Sequence, residues 1–147
     1  MPTRTARTAW NGGLQDGSGQ VELTSSSAGT FDVDFPKRAA DDAQGATSPE
    51  ELIAAAHSAC YAMSLSNEIA KAGGTPQALD VSVDVTLGAV DGAPTITTIK
   101  ITVRGEVDGL DEAGFAAAAA AAKAGCPVSR ALAGVGEISL DAALETA

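Results

Sequence analysis

The sequence predicts an α+β fold built on antiparallel sheets, and three observations carry that expectation. Several short segments alternate apolar and polar residues with the period of a half-buried strand. One long segment, residues 48–72, opens and closes with helix signals. A second, alanine-rich segment, residues 111–124, runs through Gly125 into a short helix begun by Cys126 and Pro127. Strands, long helix, hairpin, helix pair and a last strand make a single domain over residues 1–147.

Each element has a local reason. Residues 7–10 and 20–23 flank a Gly-rich stretch, 11–19, that reads as a hairpin turn. In residues 30–35, Phe31, Val33 and Phe35 alternate with Asp32 and Asp34, which puts the three apolar residues on one face. Pro36 is expected to end that strand, with residues 37–47 following as a polar loop. Ser48 and Glu51 match a capping box, Pro49 takes the first helical position, and Glu50 and Glu51 complement the helix dipole. Ile53, Ala56, Cys60 and Met63 then recur at helical spacing as the expected buried stripe. Gly73 and Gly74 stop the helix, with Pro76 beyond. Residues 81–87 and 99–104 alternate as the arms of a second hairpin around a loop at 88–94. Residues 137–144 form a last strand that turns Ile138, Leu140, Ala142 and Leu144 inward.

Composition limits the function classes. The chain is 45% hydrophobic but only 3% aromatic, so few large residues anchor its core and burial against a second subunit would help. A formal charge of −10 opposes nucleic acid and anionic membrane surfaces as partners and favours neutral or apolar small molecules. Residues 1–7 carry two arginines with no apolar run behind them, which is not a secretory signal. The small-residue run at 116–122 falls far short of the ~18 residues of a membrane span. A cytoplasmic protein is expected, and there two cysteines more often serve catalysis or metal binding than a structural staple.

Those cysteines are the candidates for chemistry. Cys60, on the apolar side of the long helix, reads either as an inert packed residue or as a nucleophile, with His57 one turn back on roughly the same face. Cys126, at a helix N-cap, reads either as part of a tight helix junction or as a thiolate stabilised by unpaired backbone N–H groups. His57, the only histidine, reads as a hydrogen-bonded core residue before it reads as a general base. A zinc site from His57, Cys60 and Cys126 lacks both a fourth ligand and close CxxC spacing. Arg38 and Glu50 read as solvated charges, or as a guanidinium beside a nucleophilic sulfur with a carboxylate to orient it.

Two segments carry a resemblance. Residues 47–65, Thr-Ser-Pro-Glu-Glu-Leu-Ile-Ala-Ala-Ala-His-Ser-Ala-Cys-Tyr-Ala-Met-Ser-Leu, and residues 122–129, Ala-Lys-Ala-Gly-Cys-Pro-Val-Ser, resemble the signatures of the OsmC/Ohr family of thiol peroxidases. Pro-Glu-Glu-Leu followed by Ala-Ala-His57, together with Cys-Pro-Val-Ser, resembles the OsmC branch. The resemblance implies an intertwined homodimer, with sheets wrapped around two long central helices and active sites at the subunit interface. It implies that Cys60 is the peroxidatic thiol, Cys126 its resolving partner, Arg38 the active-site arginine and Glu50 that arginine's partner. It further implies reduction of organic hydroperoxides, with hydrogen peroxide a poorer substrate. A dithiol such as a dihydrolipoyl group would re-reduce the enzyme, and neither metal nor organic cofactor is expected. The alternative of another class is a non-catalytic dimeric binding module with inert buried thiols.

Helix arithmetic adds a constraint of its own. Glu50 and Cys60 are ten residues apart, about 15 Å along an unbroken helix. If both serve one site, either the helix breaks between them or Glu50 and Arg38 come from the other subunit.

Overall fold

Residues 1–145 are described by the computed structural model, in which the chain divides into two compact units, Met1–Pro49 and Glu50–Ala147. In the first unit, β1 (Arg7–Asn11), β2 (Ser18–Glu22) and β3 (Thr30–Val33) form an antiparallel meander in that order. Gly19 is required where β2 passes Trp10, because a Cβ there would strike the Ala9 carbonyl. β3 stops before the alternation does. Asp34 caps a helical turn, α1 (Phe35–Arg38), and its carboxylate accepts the Lys37 N–H at 2.8 Å. Phe35 therefore leaves the strand, and Pro36 starts a helix where the sequence pattern had it end a strand before a loop. An N-cap aspartate with proline in the first turn outweighs one more residue of period-2 pattern.

The second unit starts with α2 (Pro49–Lys71), 23 residues and about 35 Å long. It ends in a Schellman motif: the Gly73 N–H donates to Ala70 O, the Gly74 N–H donates to Ile69 O, and Gly73 takes φ +87°. Its buried stripe is His57, Tyr61, Leu65 and Ile69. This corrects the expected stripe: Ile53 and Cys60 are only half-buried, Ala56 is exposed, and Met63 is 69% exposed. The face was misjudged because two core positions are polar residues whose hydrogen bonds are invisible in sequence. The Tyr61 hydroxyl donates to Ala119 O at 3.0 Å, and His57 meets Ser129.

β4 (Thr75–Val90) and β5 (Ala93–Asp108) form a long antiparallel hairpin. Its arms extend well past the alternating cores seen in sequence, and only Asp91 and Gly92 turn, both at positive φ as a two-residue hairpin loop requires. Pro76 is tolerated because β4 is an edge strand with an irregularity between Pro76 and Ala78. After β5 come α3 (Glu112–Gly125), capped by Asp111, and α4 (Pro127–Ala131), followed by β6 (Glu137–Leu144).

β6 pairs parallel to β5, so the sheet is mixed and not purely antiparallel as expected. A connection that crosses over through two helices returns the chain to the end from which β5 began, and this produces parallel neighbours. Ile101 and Val103 of central β5 are fully buried under α2 and α3. Phe115 packs on Gly105, where a Cβ would meet its ring at 2.7 Å. Ile138, Leu140, Ala142 and Leu144 pack against this core as the alternation predicted. Among the described residues no helix is long and apolar enough to cross a membrane.

Candidate active site

The fold brings the two thiols together from opposite ends of the second unit. Cys126 closes α3 and opens α4: its N–H donates to Ala122 O at 2.8 Å, and its carbonyl accepts from Arg130 N at 3.0 Å. The Cys-Pro pair makes this junction abrupt, since proline at N1 lacks only an N–H that would have no intrahelical acceptor. The Cys126 side chain is fully buried in the core, whereas Cys60 is half-buried at the margin of that core. Both are free thiols, close enough that each shifts the other's pKa. One sulfur is partly exposed, and the other is enclosed.

The surroundings treat the pair unequally. Burial alone would raise the Cys126 thiol pKa, but the polar groups around it, the Ser129 amide and hydroxyl, the Cys60 thiol and the Val128 amide, outweigh burial and bring it below the ordinary value. Val128 and Ser129 belong to the first turn of α4, so this is the helix-terminus setting expected for Cys126, although its sulfur makes no regular capping hydrogen bond. Burial raises the Cys60 thiol, and contact with Cys126 raises it further, against lowering contacts from the Val128 amide and Ser64. Of the two thiols, Cys126 is therefore the one its surroundings acidify. Among the described residues, the groups that set the Cys60 pKa are Cys126, the Val128 amide and Ser64, and none is a cation of the kind a Cys60 thiolate needs.

His57 sits one turn before Cys60, fully buried, with Nε2 2.7 Å from Ser129 Oγ. Burial lowers its pKa, so it is a neutral imidazole at neutral pH. Its ring serves Ser129 and not a sulfur. Among the described residues no three His, Cys, Asp or Glu side chains cluster as metal ligands. Ser129 is the residue that sequence reading passed over. It lay in the Cys-Pro-Val-Ser segment, three positions after an N-cap cysteine, which is where a side chain turns back to the cap. Arg38 ends α1 in the first unit, half-buried. Glu50 is buried in the first turn of α2. α2 is continuous from Pro49 to Lys71, so the break that could have drawn Glu50 toward Cys60 of its own chain is absent.

Comparison with known proteins gives the family. The family model described as OsmC-like protein matches residues 40–141. This chain belongs to the OsmC-like family. It is 39% identical over 137 residues to Peroxiredoxin OsmC of Escherichia coli K12, covering 93% of each chain. The fold matches the crystal structure of an organic hydroperoxide resistance protein OsmC from Legionella pneumophila, at TM-score 0.74 and 24% identity over 97% of this chain and 98% of that one. It also matches the organic hydroperoxide resistance protein OhrB of Bacillus subtilis, at TM-score 0.71 and 25% identity over 96% of this chain and 98% of the other.

Proposed function

We propose that this protein is a cysteine-based peroxidase that reduces organic hydroperoxides, and hydrogen peroxide less well. The observation that carries the reading is the contact between a reachable thiol and a buried, acidified one. The Cys60 thiolate attacks the distal peroxide oxygen. An S–O bond forms, the O–O bond breaks, and the alkoxide takes a proton and leaves as alcohol. Cys126 then attacks the Cys60 sulfenic acid, the S–S bond forms, and hydroxide leaves to become water. An external dithiol, of the dihydrolipoyl kind, opens the disulfide and completes the cycle.

The working unit is a homodimer in which each site combines Cys60 and Cys126 of one chain with Arg38 and Glu50 of a second copy. Two observations support this. An unbroken α2 holds Glu50 about 15 Å along its axis from Cys60 of the same chain. Ala55, Ala56, Ala59 and Met63 also leave the side of α2 beside Cys60 exposed and apolar, a surface suited to burial against another subunit. A second copy would bring the guanidinium that lowers the Cys60 pKa and polarises the O–O bond, with Glu50 orienting it bidentately. The apolar surface near Cys60 would take the alkyl part of the peroxide.

The test is hydroperoxide consumption with a dithiol reductant, comparing an organic hydroperoxide with hydrogen peroxide and wild type with Cys60→Ser. Wild type should turn over and prefer the organic substrate, and the variant should be inactive because a serine hydroxyl is a far poorer nucleophile. A wild-type protein that consumes neither peroxide, with thiols that react slowly, would instead be a binding module.

A further inference from the structure

The peroxidase cycle as described leaves two buried polar groups unused, His57 and Ser129, and both lie behind the resolving thiol. His57 is fully buried and Ser129 is 6% exposed. His57 Nε2 lies 2.7 Å from Ser129 Oγ, Ser129 stands in the first turn of the helix that Cys126 opens, and its hydroxyl is among the groups that lower the Cys126 pKa. The other ring nitrogen of His57, Nδ1, is buried with no hydrogen-bond partner among the described residues.

That orphan nitrogen decides the tautomer. An N–H buried without an acceptor is rarer and costlier than a bare acceptor lone pair. The neutral ring therefore keeps its proton on Nε2 and leaves Nδ1 as the unpaired acceptor. Nε2–H then donates to Ser129 Oγ and occupies an oxygen lone pair. The serine's single proton is left to point at the Cys126 sulfur.

We infer that His57 is a positioning residue that, through Ser129, fixes a hydroxyl proton on Cys126 and so prepares the resolving thiol for attack on oxidised Cys60. The inference rests on the peroxidase reading for its purpose but not for its chemistry. During resolution the proton released by Cys126 goes to the departing hydroxide of the Cys60 sulfenic acid, giving water, while His57 keeps its own proton. The titratable groups that bear on Cys126 are Cys60 and Tyr61 of α2. The faces of α3, β5 and β6 in this core are apolar: Phe115, Ala118, Ala119 and Ala122; Ile101 and Val103; Ile138 and Leu140.

The experiment uses Cys60→Ser protein, in which Cys126 is the only cysteine. The ultraviolet absorbance of its thiolate is followed against pH in that background and with Ser129→Ala, His57→Leu or His57→Gln added. Loss of a hydrogen bond to the thiolate should move the Ser129→Ala pH profile about one pH unit higher. His57→Leu should move the profile in the same direction. His57→Gln, whose amide can donate from nearly the Nε2 position, should restore it. The imidazole nitrogen resonances of the parent should report an Nε2–H tautomer. An unmoved profile in Ser129→Ala, an Nδ1–H tautomer, or a glutamine variant no better than the leucine one would overturn the inference. Because no peroxide enters this assay, a failure of the peroxidase reading would not be mistaken for a failure here.

Discussion

Subunit complementation puts the proposed shared site to a quantitative test. The perturbations are Cys60→Ser in one protein and Glu50→Ala in another, each expected to be inactive or nearly so as a homodimer. The structure sets the distances: α2 is unbroken from Pro49 to Lys71, so Glu50 and Cys60 of one chain lie about 15 Å apart along the helix axis. If the site is shared, a heterodimer joins the intact Cys60 of the Glu50→Ala chain to the intact Glu50 of the Cys60→Ser chain. Its second site lacks both groups. Random exchange in an equimolar mixture makes about half of the dimers mixed, each with one good site of two, so about a quarter of wild-type activity should return. The assay is organic hydroperoxide consumption after exchange has been verified by native mass spectrometry. A site built within one chain recovers nothing, because every chain is then missing one of its own groups. No recovery in verified heterodimers would refute the reasoning.

Two further predictions concern the core and its titrations. Phe115→Ala removes a fully buried ring that fills the space over Gly105, and should cost about 3–5 kcal/mol in denaturant unfolding; a loss below about 1 kcal/mol would mean that the ring is not a core anchor. Tyr61 is the only tyrosine, and burial followed by the charge of Cys126 raises its pKa. Its contribution to stability is full below the unfolded phenol's pKa of about 10 and is lost as pH rises above it, because the unfolded chain releases the proton first. Tyrosinate absorbance should therefore appear together with loss of circular dichroism, and a titration in the folded protein near pH 10 would contradict the burial.

The helix boundaries were legible in sequence because their signals are local. Pro49 with Glu50 and Glu51 starts α2, Gly73 and Gly74 end it, and Cys126-Pro127 splits α3 from α4. The alternation of residues 137–144 likewise marked β6 and its inward face. The buried face of α2 was not legible, since alanines surround Cys60 on several sides and give little contrast between faces. His57 and Tyr61 enter the core only because Ser129 and Ala119, far away in sequence, satisfy them. The parallel pairing of β6 with β5 is likewise set by the crossover and not by any residue within the strand. Of the candidate site, the place of Cys60 on the long helix and the helix-terminus setting of Cys126 were legible. The contact between the thiols, the greater exposure of Cys60 and the role of Ser129 depend on tertiary packing.

Intact-mass analysis after one equivalent of organic hydroperoxide probes the thiol pair itself. Wild-type protein should lose two hydrogens per chain, with peptide mapping placing a disulfide between Cys60 and Cys126 of the same chain. Cys126→Ser should instead gain one oxygen at Cys60 and, with excess peroxide, a second. A wild-type chain that stops at the one-oxygen adduct, or whose disulfide joins two subunits, would contradict resolution by the buried Cys126 beside it.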